Sequence, residues 1–341
     1  MFRKTTLRLT ISALALMVCF GIPNQAHALT ITPIRYEISG DPGQTLTEKM
    51  GLVNETKTTQ TYYASFSNFE AQGDTGSPTF IDAKDGLGTW ITTEQASITL
   101  AAGAQKEIEF KIAIPKDAEA GGYFAAIFWG TSPGGAPGQV SIGTKTGLLI
   151  LLSVNGDVQE QAGLVDFSLH NNDHFYKTLP VGFQYRFSNQ GGDRVKPEGD
   201  VVIRSILGWT AKKIDANPNN GNVLPGTTRK FLPEWSKRDS VDFRDQEVLR
   251  NESYSFKKAL NDEWHNFAFG IFKAKTIVSY GSTDQVAKSK SVYFIVFPWE
   301  LLLVIIIVGI PTFFILRFIV RKYNRSVIRK AQKRFENNKS I

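Results

Sequence analysis

Alternating apolar and polar residues dominate the chain between residues 29 and 297. In KEIEFKIAIP, Lys106–Pro115, every second side chain is apolar, and the run Val181–Phe187 repeats the pattern. A period of two predicts strands with one buried face and one wet face. Two other runs, Tyr123–Gly130 and Gly147–Val154, are apolar on both faces. They are predicted to be central strands of a sheet.

Turn-forming residues separate these runs, as at Gly40–Gly43, Asn189–Gly192 and Asn219–Gly221. The region shows no long helical period, so it is predicted to be all-β. Many short strands divided by such turns favour antiparallel sandwiches of the immunoglobulin-like kind. The length fits two such domains in tandem, predicted at residues 29–157 and 158–297, with no close sequence repeat between them.

The N-terminus has the pattern of a secretory signal peptide. A basic start, MFRKTTLR, precedes an apolar run and the small-residue sequence Ala26-His27-Ala28. Cleavage is predicted after Ala28, which makes residues 1–28 the signal peptide. An alternative is lipidation of Cys19, but Val18 stands where a small residue is required. Cleavage also removes Cys19, the only cysteine, and with it any disulfide or thiolate site in the mature chain.

A second apolar segment, residues 298–320, is predicted to span a membrane. Trp299 lies where aromatic residues mark an interface. Residues 321–341 form a basic tail, which the positive-inside rule places in the cytoplasm. Arg317, Arg321 and Lys322 are the basic side chains predicted at the opposite, cytoplasmic interface. The expected localisation is therefore the cell membrane, crossed once, with the N-terminal region outside. The tail either only fixes this orientation and attracts anionic lipid, or it forms a surface helix or a contact with a partner.

The charge distribution argues against nucleic-acid binding. The formal charge is +7, from 39 basic and 32 acidic residues. Residues 1–28 hold three of the bases and residues 317–341 hold nine with one acid, which leaves 27 bases and 31 acids between them. A nucleic-acid-binding domain would carry its basic residues on the folded face. Here the positive charge belongs to the two ends.

A search for catalytic and metal-binding motifs gives no match. Asp215–Gly221 begins like a calcium loop, but Asn220 stands where the loop needs glycine. Gly138–Thr146 has an extra residue between the glycine and lysine of a phosphate loop. His170 and His174 lie four apart in a strand and turn context, not on a helix. We expect that the protein binds no cofactor and no metal. We also expect that it is not an enzyme, unless an unrecognised carboxylate pair supports hydrolysis.

One segment of the second domain interleaves basic and aromatic residues. Outside a cell this composition suits an anionic glycan or wall polymer, bound through stacking and charge. The alternative is an edge strand with one buried tryptophan. The candidate ligand-binding residues are Arg229, Lys230, Trp235, Lys237 and Arg238.

The first domain resembles the N-terminal domain of the WxL-interacting protein family of bacterial surface proteins. The residues that carry the resemblance are Pro33, Tyr36-Glu37-Ile38, Pro42-Gly43, Leu52-Val53-Asn54, Trp90-Ile91, Ile98-Thr99-Leu100, Ala102-Gly103, Ile114-Pro115, Gly121-Gly122-Tyr123 and Ile127-Phe128. The plan of signal peptide, two β domains, one helix and a basic tail is also similar. The resemblance implies a partner with a WxL domain and contact with peptidoglycan.

These patterns lead to one main functional hypothesis and two alternatives. The main hypothesis is a membrane-anchored, non-enzymatic binding or adhesion protein whose sandwiches engage a cell-surface protein or peptidoglycan. The first alternative is a membrane-tethered, chaperone-like assembly factor for surface or pilus subunits, which an open, uncharged edge strand would favour. The second is an envelope hydrolase, which would require a deep acidic cleft.

Overall fold

The computed structural model describes residues 29–133, 144–237 and 255–339. The chain divides into two compact units: the first ends at Asp157, the second begins at Val158, and residues 71–78 group with the second. Each unit contains an immunoglobulin-like β-sandwich, as the sequence pattern predicts. The predicted signal peptide lies outside the described residues.

Two packed sheets form the first unit. Its strands are β1 (Leu29–Thr32), β2 (Arg35–Gly40), β3 (Thr45–Asn54), β4 (Gln60–Gln72), β5 (Ser77–Asp82), β6 (Ile91–Thr93), β7 (Ser97–Leu100), β8 (Gln105–Ala113), β9 (Gly121–Gly130) and β10 (Lys145–Val154), with a short helix, α1 (Leu87–Trp90). One sheet has the order β1-β3-β8-β6. The other has the order β2-β10-β9-β4-β5, with β7 beside β4.

The core of the first unit follows from the sequence alternation. Ile108, Phe110 and Ile112 on β8 are buried, while the charged residues between them face outwards or lie half-buried. Trp129 on β9 and Ile150 on β10 are buried in the same core. Both β9 and β10 lie inside their sheet, so the prediction of two central strands is confirmed.

The second unit repeats the two-sheet plan. Its strands are β11 (Ala162–Leu169), β12 (Phe175–Tyr176), β13 (Val181–Asn189), β14 (Glu198–Ser205), β15 (Thr210–Asp215), β16 (Thr227–Phe231), β17 (Glu234–Trp235), β18 (Gly270–Tyr280), β19 (Gln285–Lys288) and β20 (Val292–Val296). One sheet is β11-β13-β16 with β17 beside β13, and the other is β12-β20-β18-β14-β15 with β19 beside β18. A 3-10 turn covers His170–Asn172.

Both units share details that the sequence comparison of the two halves did not reveal. In each, the first strand joins one sheet and the next strand joins the other, where β2 runs parallel to β10 and β12 runs parallel to β20. In each, a buried asparagine ends a strand and donates its side-chain amide to backbone carbonyls: Asn54 in β3 and Asn189 in β13. These amides provide hydrogen-bond donors for backbone carbonyl groups where the chain leaves the sheet.

Two helices complete the second unit. α2 (Phe256–His265) lies between β17 and β18, and it corrects the expectation that the region before residue 297 holds no helical segment. α3 (Trp299–Lys339) begins two residues after β20. Within the described residues, its stretch Trp299–Arg329 is long and apolar enough to cross a membrane. The helix continues beyond the predicted span because the basic tail is rich in good helix formers.

Candidate functional site

An exposed strand edge is the most distinctive surface of the first unit. β5 ends the sheet order β2-β10-β9-β4-β5, and in the described part of the chain no strand pairs with its outer side. The four residues Thr79–Asp82 are all exposed, and Asp82 is the one charged residue of β5. Pro78 has no N–H group to donate and Thr79 is already engaged, so the edge considered for pairing is Phe80–Asp82. An open, largely uncharged edge is a template for another strand.

An aromatic cluster adjoins this edge on the outer face of the sheet. The ring of Phe80 lies 4.8 Å from that of Phe128 and 6.1 Å from that of Phe69, between ring centroids. Phe69 in turn lies 5.9 Å from Phe124. Gly147 on β10 makes room for Phe128, because a Cβ there would lie 2.6 Å from the Phe128 ring. The cluster extends apolar surface from the centre of the sheet to its edge.

The sequence analysis did not single out β5 or this cluster. The sequence nevertheless contained a signal for the aromatic cluster, in the run Tyr123–Gly130, which is apolar on both faces. One face of that run fills the core, and the residues of the other face, Phe124 and Phe128, require cover from a neighbouring strand. Phe80 provides part of that cover while remaining 42% exposed.

Three other edge strands, β2, β11 and β15, differ from β5. β2 presents an ion pair, Arg35 with Glu37, at 3.0 Å. β11 carries a bulge between Leu164 and Asp166, and β15 presents a lysine pair in its middle. Bulges and charges at an edge oppose pairing with another chain. The stretch Thr79–Ile81 of β5 contains no charged residue.

Arg229 and Lys230, two of the predicted ligand-binding residues, lie side by side on β16. The Arg229 guanidinium donates to the carbonyl oxygen of Asn222 at 2.8 Å and lies 5.5 Å from the ring of Phe231. Lys230 Nζ lies 3.5 Å from a carboxylate oxygen of Asp74. Both cations are therefore engaged within the second unit.

The remaining predicted ligand-binding residues do not join them in one surface. Trp235 is buried, and its ring packs against those of Phe272 and Phe294 at 5.1 and 6.2 Å. A buried indole offers no face for stacking on a sugar. Lys237 is exposed beyond β17, and Arg238 lies outside the described residues.

A polar cluster surrounds the start of α3. Lys177 Nζ lies 2.7 Å from Glu300 Oε1 and 5.2 Å from the ring of Trp299. The backbone N–H of Leu301 donates to Glu263 Oε2 at 2.6 Å. Glu263 belongs to α2, so this contact ties α2 to the first turn of α3, whose N–H groups have no partner within the helix.

The environment of Glu263 alters its acidity. Burial raises the pKa of the Glu263 carboxyl to about 7, and a hydrogen bond with Glu300 acts in the same direction. Both effects favour the neutral acid. The proton on Glu263 therefore relieves repulsion between two adjacent buried carboxyl groups.

The predicted interface residues of the membrane helix are placed as follows. Trp299 opens α3, and Arg317, Arg321 and Lys322 are exposed further along it. From Trp299 to Arg317 the helix rises roughly 27 Å, at about 1.5 Å per residue. That distance is close to the thickness of a bilayer core, about 30 Å.

The sequence motifs that suggested metal chemistry serve as local structure, whereas residues 138–143 of the phosphate-loop-like segment lie outside the described residues. Asn217 donates to the carbonyls of Pro197 and Gly221 and accepts from the N–H of Gly221, so the Asp215–Gly221 segment is an asparagine-centred turn. His174 Nδ1 lies 2.7 Å from the Tyr293 carbonyl oxygen. Among the described residues, no group of three or more His, Cys, Asp or Glu is arranged to hold a metal ion.

Comparison with known proteins gives a likeness of fold only. No protein-family profile and no curated protein sequence matches the chain. A class 5 fimbriae chaperone is 13% identical, with 80% of this chain and 100% of that chain covered and a TM-score of 0.36. The chaperone and tip adhesion subunit complex of Csu pili from Acinetobacter baumannii is 10% identical, with 77% of this chain and 98% of that chain covered and a TM-score of 0.33. The E. coli chaperone DraB is also 10% identical, with 79% of this chain and 97% of that chain covered and a TM-score of 0.31. The likeness is one of fold class, the immunoglobulin-like β-sandwich, and the resemblance to WxL-interacting proteins stays a prediction.

Proposed function

We propose that this chain is a membrane-tethered, chaperone-like assembly factor that binds an extended segment of an exported protein along β5. The observation that carries the proposal is the exposed edge Phe80–Asp82 beside the aromatic cluster of Phe80. Main-chain groups at such an edge bind an added strand, and the flanking side chains select its sequence. α3 is the proposed anchor, with both sandwiches outside the cell and the basic tail inside.

The geometry of β5 defines the segment that it would accept. The three exposed residues Phe80–Asp82 span roughly 10 Å, at about 3.3 Å per residue. Phe80 lies on the face of the aromatic cluster, so alternate side chains of the added strand would pack there. Ile81 points to the opposite face and is also exposed. An extended segment with an apolar residue at alternate positions therefore fits best.

This function has more support than adhesion to a wall polymer. The stacking residue required for polymer binding, Trp235, is buried, and Arg229 and Lys230 are engaged with residues of their own unit. The Csu chaperone named above forms a complex with a tip adhesion subunit, but the proposal for this chain rests on β5. A surface protein with a WxL domain, implied by the sequence resemblance, is one hypothesis for the exported partner.

Site-specific photocrosslinking tests the proposal in cells that produce the full chain. A benzophenone side chain replaces Ile81 on β5 or, as the matched control, Val165 on the bulged edge β11. Both positions are exposed, at 43% and 53%. We expect a discrete adduct with one exported protein from position 81 and none from position 165. Mass spectrometry of the adduct should locate the contact in an alternating apolar segment.

A charge at the edge provides the corresponding loss-of-function variant. With the photoreactive side chain at Thr79, the substitution Ile81→Lys should lower the adduct yield by about tenfold or more, because strand addition would desolvate the ammonium group. Val165→Lys should leave the yield unchanged. Equal adducts from positions 81 and 165, or equal effects of the two lysine substitutions, would contradict binding at β5.

A further inference from the structure

One end of the second sandwich gathers the start of α3 and a β-hairpin turn. β20 pairs antiparallel with β18, so Val296, the last residue of β20, lies opposite Gly270, the first of β18. β14 also pairs antiparallel with β18, and its last residue, Ser205, lies opposite Phe272. The turn between β14 and β15 therefore lies at the sheet end from which the chain enters α3. The backbone N–H of Ile206 donates to the Ile271 carbonyl at 3.0 Å and fixes the turn there.

Large apolar side chains are exposed at this end. The turn itself reads Ile206-Leu207-Gly208-Trp209, and Leu207 at its tip is 76% exposed. The ring of Phe269, just before β18, lies 5.8 Å from that of Phe297, just before α3. The exposed set at this end comprises Ile206, Leu207, Trp209, Trp264, Phe269 and Phe297. A contiguous apolar surface of this kind marks an interaction site.

Basic residues follow the apolar ones along the same face of the sheet. Ile271 and Ile295 are paired and partly exposed next to Phe269 and Phe297. The next outward row, about 7 Å further along the strands, contains Lys273, which pairs with the exposed Arg204 on β14. Apolar and aromatic residues at the tip with cations behind them match the layers of a membrane interface.

We propose that this end of the second sandwich inserts its hairpin turn into the outer leaflet of the membrane that α3 crosses. The occupant of the apolar surface is lipid rather than a protein, because the surface is continuous with the membrane helix. Only Phe297 and Pro298 separate β20 from α3, so the turn is held beside the bilayer. The inference rests on membrane anchoring by α3, as proposed above, and is independent of strand capture at β5.

Depth measurements on the full chain in protein-free vesicles test the insertion. The sequence has a single cysteine, Cys19, so a Cys19→Ser background allows one fluorescent label at a chosen position. Labels are placed at Leu207 in the turn, at Ile307 in α3 and at Val286 in β19. Val286 is 58% exposed and pairs with Ser279, roughly 23 Å along β18 from the row of the turn. Aqueous iodide and lipids that carry a nitroxide near the headgroup serve as quenchers.

We expect the label at Leu207 to be quenched by the nitroxide lipids and to show iodide quenching about fivefold weaker than at Val286. The label at Ile307 should be shielded from iodide. If Leu207 and Val286 are equally accessible to iodide while Ile307 is shielded, insertion of the turn is wrong and anchoring stands. If Ile307 is also accessible, the anchor and the inserted turn are both wrong.

Discussion

The contact between α2 and α3 predicts a pH-dependent joint at the base of the second sandwich. Glu263 is buried, accepts the Leu301 N–H and lies beside Glu300, which pairs with Lys177. Its pKa is raised from 4.5 to about 7 in the folded chain. A carboxyl group with a raised pKa binds its proton more tightly in the folded state than in the open state. Its contribution to stability is therefore complete below pH 4.5 and is lost as the pH rises through 7.

The size of this effect follows from the shift. A change from 4.5 to about 7, at about 1.4 kcal/mol per pKa unit, gives a loss of at most about 3.5 kcal/mol in the free energy of opening of α2. The substitution Glu263→Gln keeps an acceptor for the Leu301 N–H and an N–H donor towards Glu300, and it cannot ionise. In that variant the opening free energy should be nearly independent of pH between 4.5 and 8.

Hydrogen exchange of peptides that cover α2, measured on the full chain in nanodiscs and corrected for intrinsic exchange rates, reports the opening free energy. Asp262→Asn, on the same helix, is the matched control and should retain the wild-type pH dependence. The reasoning would be refuted by a wild-type chain without pH dependence, or by equal slopes in the wild type and Glu263→Gln.

Two further substitutions test the packing of the first unit. Asn54→Ala removes the acceptor of the buried Tyr62 hydroxyl and the amide donor to the carbonyls of Leu100 and Ala101, and should lower the free energy of unfolding by about 3 kcal/mol in urea titration. An unchanged midpoint would contradict that role. Gly147→Ala places a Cβ 2.6 Å from the Phe128 ring and should cost about 1–2 kcal/mol, whereas Gly163→Ala, with no atom within 4 Å, should change stability by less than about 0.5 kcal/mol. Equal losses for the two glycines would show that crowding at Phe128 is not the cause.

The strand pattern and fold class were predictable because they depend on local periodicity. The inward residues predicted for the second sandwich, from Val181 to Phe187 in steps of two, are all fully buried. α2 escaped prediction because FKKALNDEWH is short, and its buried face consists mainly of the polar Glu263. A helix that buries a carboxyl group gives no apolar period to recognise.

The candidate site was less predictable, because pairing between distant segments creates it. β5 is an edge only because no described strand follows it in the sheet, and the sequence SPTFID alone gives no sign of that position. For the basic and aromatic segment, the sequence predicted a site that the structure does not form. Its composition suggested a ligand surface, but Arg229 and Lys230 are partly buried and engaged with their own unit, and Trp235 lies in the core. Composition identified residue types, whereas topology determined their exposure.

Backbone protection at β5 is the most direct test of strand capture. Hydrogen exchange of the full chain is compared with and without the partner segment identified by crosslinking at Ile81, and residues 162–169 of β11 serve as the internal control. The account predicts slower exchange in the peptide that covers residues 79–82 and unchanged exchange in β11. Unchanged exchange at residues 79–82 on saturation with the segment would contradict it.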